Sequence, residues 1–161
     1  MTIRHNAVAA RFLSENGARA TRVESLDRTT WQSRQVHADH IVLSASPIET
    51  VCLLWTSKSD QHPDGVGNNA DPFTRVMFRK FFHESMSIGA AIRESGGEIV
   101  GADPSSSVLN AWEQVWEMSN VVVADASAFP RSGVAGTTLT VMAHAKRVCR
   151  HLARGSNSAK A

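Results

Sequence analysis

Val121-Val122-Val123-Ala124-Asp125-Ala126-Ser127-Ala128-Phe129-Pro130 is the stretch that decides the fold, with Gly136-Thr137-Thr138-Leu139-Thr140-Val141-Met142-Ala143 following six residues later. Three successive valines are too short a run for a helix. Their branched side chains suit a strand buried on both faces. Asp125 ends that strand. From residue 137 the period changes: Leu139, Met142, Ala145, Val148, Cys149 and Leu152 fall on one helical stripe, and Gly155 offers a stop. The spacing therefore predicts a strand over 121–124 and a helix over 137–153, the alternation of an α/β fold. A strand that ends in an acidic residue and leads toward a helix start is where open α/β sheets hold ligands. The helix start offers free N–H groups and the positive end of the dipole, and Ser132, Gly133, Ala135 and Gly136 before it are small enough for close approach. Taken locally, Asp125 is equally a turn residue, and Thr137 or Thr138 equally a helix cap.

The amino-terminal part reads as β-rich. Ala7 to Leu13 and Ala20 to Leu26 are apolar segments separated by Glu15-Asn16-Gly17, and Asn-Gly is a strong hairpin signal. Asp27 to Ser33 is turn-like, Gln35 to Ala38 alternates, and His40-Ile41-Val42-Leu43 is a compact apolar run. A three-stranded meander feeding one buried strand is expected. Pro47 suits the first turn of a helix, and Ile48, Val51, Cys52, Leu54 and Trp55 give helical spacing over 48–57. Residues 58–74, with Pro63, Gly65, Gly67 and Pro72, read as a loop; 75–92 have a helix-like apolar pattern limited by Gly89.

Composition excludes several function classes. The 161 residues make one ordinary domain, and a net charge of +2 gives no electrostatic case for nucleic acid or an anionic membrane. Lys146, Arg147, Arg150 and Arg154 sit at helical spacing, as a solvated helix face would. Cys52 and Cys149 form no CxxC, so a reduced, cytoplasmic setting is expected. No apolar run approaches the roughly 20 residues of a membrane span, and no signal pattern opens the chain. His144 and His151, seven residues apart, are expected to be solvated, and Trp112 and Trp116 to pack. His37 and His40 fall on opposite faces of a strand and make no ligand pair. No metal site is expected.

The order Gly96-Gly97, Gly101, Asp103-Pro104, Ser107-Val108, Asn120, Val121 to Val123, Asp125-Ala126-Ser127, then Thr137-Thr138-Leu139-Thr140 resembles the carboxy-terminal block of GMC (glucose–methanol–choline) FAD oxidoreductases over almost 60 residues. Val36 to Thr50, with Leu53-Leu54, resembles a second signature of the same family, and His62-Pro63-Asp64-Gly65-Val66-Gly67-Asn68 the loop that follows it. The resemblance covers about residues 5–153. It implies part of a Rossmann-like FAD-binding domain with a β-meander, central strands and a long carboxy-terminal helix. Residues 1–57 would hold the meander, central strand and helix, 58–95 a loop and the remnant of a substrate domain, 96–154 the carboxy-terminal block, and 155–161 a disordered tail. The implied cofactor is FAD. Asp125 and Ala126 would contact its diphosphate and ribityl region, Gly136, Thr137 and Thr138 would lie beside the isoalloxazine, and Ser44 and Ala45 would line the central strand. The implied activity is oxidation of CH–OH groups of alcohols or sugars.

Three departures qualify that activity. No glycine-rich strand–turn–helix matches the family's diphosphate grip; Gly96, Gly97 and Gly101 do not fit G-x-G-x-x-G. The substrate domain is reduced to about residues 70–92. The position of the family's catalytic histidine holds Arg93, and that of its histidine or asparagine partner holds Gly136. Removing a hydroxyl proton needs a base; arginine stays protonated and glycine has no side chain. Three readings follow: a truncated relative without autonomous activity, a non-catalytic subunit that completes a partner's FAD site, or an enzyme with substitute catalytic residues. The expected partner is a chain carrying the amino-terminal FAD domain, or another subunit.

Overall fold

A computed structural model describes residues 2–15, 17–67, 95–130 and 137–158. The helix-like pattern at 75–92, the reduced substrate region at 70–92, Arg93, and residues 132–136 with Gly136 lie outside the described residues.

The meander forms as expected. β1 (Ala7–Ser14), β2 (Ala20–Asp27) and β3 (Ser33–His37) make an antiparallel sheet in the order β1-β2-β3. Ser14 faces Ala20 across the first connection, and Gly17 within it has φ 70°, a left-handed conformation that glycine adopts without steric cost. The second sheet carries the core. β4 (Ile41–Leu43) runs parallel to β6 (Met118–Val123), and β5 (Gln114–Val115) runs antiparallel on the other side of β6. Val121, Val122 and Val123 are wholly buried. The strand therefore begins three residues earlier than the valine run suggests, and two-residue β5 is too short to leave a pattern in the sequence.

A parallel pair needs a crossover, and the helix predicted after Pro47 begins it. α1 spans Pro47–Thr56, with Pro47 in its first turn and Val51 and Leu54 buried. Gly65 packs against its end at φ 93°. A Cβ there would stand 2.4 Å from the Trp55 carbonyl oxygen, so the position tolerates only glycine.

Polar bonds join the two sheets and tie the end of α1 to β1. Asn120 accepts from Ala20 N (2.9 Å) and donates to the carbonyls of Ala20 (2.6 Å) and Asp39 (2.9 Å). Ser57 Oγ accepts from Phe12 N at 2.9 Å, and Thr56 Oγ1 donates to the Ala10 carbonyl at 2.8 Å. The bonds to Ala20 and Phe12 satisfy backbone groups that burial would otherwise leave costly.

α2 spans Thr137–Ser158 and passes through Gly155. The tail expected at 155–161 is thus helical to residue 158. Gly155 holds no left-handed turn, and an interior glycine weakens a helix by only about 1 kcal/mol, which does not by itself end one. The mixed sheets and long carboxy-terminal helix are the α/β architecture expected from the sequence.

Candidate functional site

β4 and β6 are parallel, so their carboxyl ends reach one edge of the sheet together. Ala124 N donates to the Leu43 carbonyl at 2.8 Å and closes that edge. Beyond it the chain continues as Ser44-Ala45 from β4 and as Asp125-Ala126 from β6. Thr50, wholly buried in the first turn of α1, links the two: its Oγ1 accepts from Ala45 N at 3.4 Å and donates to Asp125 Oδ2 at 2.6 Å.

Asp125 is itself buried, and its other oxygen is equally occupied. Oδ1 accepts from Ser127 N at 3.0 Å and from Ser127 Oγ at 2.6 Å, capping the 3-10 turn Ala126–Ala128. This carboxylate is a bolt for the turn, with three donors from the chain's own groups. Within the chain Asp125 serves as the cap of this strand-end turn. Any ligand at this edge meets the turn that Asp125 shapes, together with exposed Ser44 and Ala45 and half-buried Ala126. Sequence reading missed Thr50 and Ser127. The signal for Ser127 was present, two residues beyond a capping aspartate.

The segment after the glycine pair lies along the same turn. Gly96 N, Glu98 N and Val100 N donate in succession to the carbonyls of Ala126, Ser127 and Ala128, at 3.0, 3.1 and 3.1 Å. Gly97, at φ 115°, passes so close to α1 that a Cβ would stand 2.7 Å from Val51 Cγ2. The glycines thus serve close packing beside the turn. Glu98, 1% exposed, has no hydrogen-bond partner for Oε2 among the described residues. Burial, reinforced by Glu117 and Asp125 nearby, pushes its carboxyl well above the usual carboxylate range. Glu117 in turn accepts from Gly67 N at 2.9 Å and lies 3.6 Å from His62 Nδ1.

Thr137 is half-buried and Thr138 exposed at the amino end of α2. Two turns on, His144 stands edge-on to Phe129, which follows the 3-10 turn, with ring centroids 5.0 Å apart. That contact fixes the helix about 10 Å along its axis from Thr137. Ser44, Ala45, Asp125 and Ala126 are therefore brought together, and Thr137 and Thr138 share a helix with a residue packed on their turn. Arg93 and Gly136 are outside the described residues.

Two expectations for α2 need correction. His144 is not simply solvated: its Nδ1 meets Glu113 Oε1 at 2.5 Å. His151 stacks on Trp112 at 4.2 Å with 4° between the planes. Arg147, expected on a solvated face, reaches the Ala111 carbonyl at 2.7 Å. The i, i+3 and i+7 spacing of these residues from His144 was visible. Their partners were not, because the 110–117 loop approaches only in three dimensions. Among the described residues no three His, Cys, Asp or Glu side chains could hold a metal, and no helix is long and apolar enough to cross a membrane. Cys52 and Cys149 are unpaired.

Mixed sheets, a crossover helix and a long carboxy-terminal helix make this a partial α/β domain. The sequence profile described as GMC oxidoreductase matches residues 11–145, and the chain belongs to that family. It is similar to the 6'''-hydroxyparomomycin C oxidase of Streptomyces lividus, with 43% identity over 53 residues, 33% of this chain and 10% of that protein. It is also similar to the gluconate 2-dehydrogenase flavoprotein of Pantoea cypripedii, with 41% identity over 49 residues, 30% of this chain and 8% of that protein. The matched stretches thus span about a tenth or less of these relatives' length.

Proposed function

We propose that this chain supplies one wall of a FAD site in an oxidoreductase acting on CH–OH groups of alcohols or sugars. The observation that carries this reading is the bolted Asp125–Ala126 turn beside Ser44 and Ala45, at the shared carboxyl edge of two parallel strands. Small, accessible residues there fit a flat cofactor edge, and the amino end of α2 offers donors to its polar atoms. Asp125 and Ala126 would face the diphosphate and ribityl region; Gly136, Thr137 and Thr138 the isoalloxazine; Ser44 and Ala45 the adjoining strand edge. The wall does not fit the diphosphate by itself. Several convergent N–H donors are needed, and this sequence has no glycine-rich turn to provide them.

A bound flavin would accept the hydride taken from the alcohol carbon. This chain would hold the ring edge and order the turn beneath it, while the hydroxyl proton finds no acceptor at Arg93 or Gly136. The names of the two relatives, a 6'''-hydroxyparomomycin C oxidase and a gluconate 2-dehydrogenase flavoprotein, support a hydroxyl-bearing substrate. The remaining machinery would come from another part of the same polypeptide or from a partner chain. That reading is favoured by β4, which among the described residues pairs with β6 alone and leaves Val42 exposed, whereas parallel strands are normally flanked and covered. A strand from the diphosphate-binding part would dock there.

The experiment is an absorption scan after gel filtration with FAD, using the chain alone and the chain co-expressed with a GMC amino-terminal FAD domain. The chain alone should be colourless and inactive on alcohols, sugars and polyols, and flavin should be retained only in the complex. Stoichiometric flavin on the chain alone, or substrate-dependent acceptor reduction by it, would overturn the reading.

A further inference from the structure

α2 is the longest element among those described, yet it is poorly buried. Of its described side chains only Val148 is wholly buried, while Leu139 is 74% and Met142 63% exposed. Helices in folded domains are ordinarily held by an apolar stripe. This one is gripped by polar and aromatic groups centred on one carboxylate, Glu113, which is 0% exposed.

The loop that carries Glu113 is built to aim it inward. Asn110 Oδ1 accepts from Trp112 N at 2.8 Å and from Gln114 N at 3.2 Å. Glu113 N donates to the Asn110 carbonyl at 2.9 Å, and its own carbonyl accepts from Val123 N at 2.9 Å, on the central strand β6. Held this way, Glu113 stands at φ 61°, a conformation that non-glycine residues adopt only when their surroundings over-determine it. Its Oε1 then accepts from His144 Nδ1 at 2.5 Å and from Arg147 at 3.4 Å, while Oε2 has no hydrogen-bond partner among the described residues. Arg147 also lies 5.2 Å over the Trp112 ring, and His151 stacks on that ring one turn further along. On the other side, the His144 ring packs edge-on to Phe129, directly after the Asp125 turn.

We propose that Glu113 is a positioning residue. It sets where α2 stands against the central strand and the Asp125 turn, and so where Thr137 and Thr138 are presented. The clasp is a property of the chain itself; its consequence for a cofactor rests on the FAD-wall reading above. A carboxylate held by charge-assisted hydrogen bonds gives one defined helix position, which a greasy face that can slide does not.

Hydrogen exchange by mass spectrometry on the full chain tests this without any flavin. In Glu113→Ala the amides of α2 between residues 141 and 152 should exchange at least about tenfold faster, the scale of a lost charge-assisted bond. Amides of Val121 to Val123 should be little changed. Trp112 fluorescence should shift as its stack with His151 opens. Glu113→Gln, which keeps a carbonyl acceptor for His144, should restore part of the α2 protection. His144→Asn breaks the clasp from the exposed helix side, so it serves if the loop variant does not fold, and should give the same helix-selective loss. Unchanged α2 protection in Glu113→Ala and His144→Asn would overturn the proposal. So would a loss spread equally over β6, since that is general destabilisation. Repeating the absorption scan on the co-expressed complex separates the two readings. Flavin lost from the clasp variants alone supports both, and flavin absent from every complex removes the FAD wall and leaves the clasp standing.

Discussion

β6 and α2 both belong to the carboxy-terminal block and are held by opposite means. β6 is six residues long, and its three valines are sealed from water by strands on both sides. α2 is 22 residues long and rests on one buried valine, a carboxylate and a pair of stacked rings. Apolar burial is strong but indifferent to small displacements. Hydrogen bonds to a buried carboxylate are demanding in distance and angle. The strand therefore supplies stability and the helix is a positioned attachment. This suits a site whose floor is fixed and whose opposite side must stand in one place.

The contrast can be broken first at the strand. Val122→Asp puts an unpaired charge into a wholly buried position, which is expected to cost about 4 kcal/mol or more and to abolish the cooperative thermal transition seen by circular dichroism. A folded variant with a native-like melt would show that β6 does not carry the core. Asp125→Ala should come next. It strips the acceptors of Thr50 Oγ1 and of Ser127 N and Oγ, for a loss of about 2–4 kcal/mol in urea denaturation. Asp125→Asn keeps one acceptor oxygen and should lose less.

Glu98 sharpens the comparison by pH. Its carboxyl binds a proton more tightly in the folded chain than in the unfolded one, because burial and two neighbouring carboxylates disfavour the charge. The folded state then holds more protons, so this contribution is fully present below about pH 4.5 and is lost as pH rises toward the folded value. The slope can reach about 1.4 kcal/mol per pH unit. Glu98→Gln should flatten that part of the stability profile and make the chain more stable than the parent at neutral pH. An unchanged profile would mean that Glu98 is not buried beside Glu117 and Asp125.

The smallest effect is expected on the open face of α2. Leu139→Gln and Met142→Gln remove little buried area and should alter the unfolding free energy of the chain by no more than about 0.5 kcal/mol. A larger loss would show that this face is covered.

Much of this was legible in the sequence. The meander, the helix after Pro47, the valine strand and the final helix each leave a local period, and they emerged nearly where expected. The order of small residues, Asp125 and the paired threonines carried the family. What the chain alone determined was local: β-branched runs make strands, a 3.6-residue stripe makes a helix, and short polar side chains cap their neighbours. The tertiary structure decided the pairings. Thr50 meets Asp125 across 75 residues, Asn120 meets Ala20 across 100, and His144 meets Glu113 across 31. Sequence periodicity reports which face of an element is apolar, but not which distant group will stand opposite a polar residue on it. His144 and His151 therefore read as solvated although the fold had placed a buried carboxylate against the first and the Trp112 ring against the second. A hydrogen bond needs its partner within about 3 Å, and only the folded chain brings such groups that close.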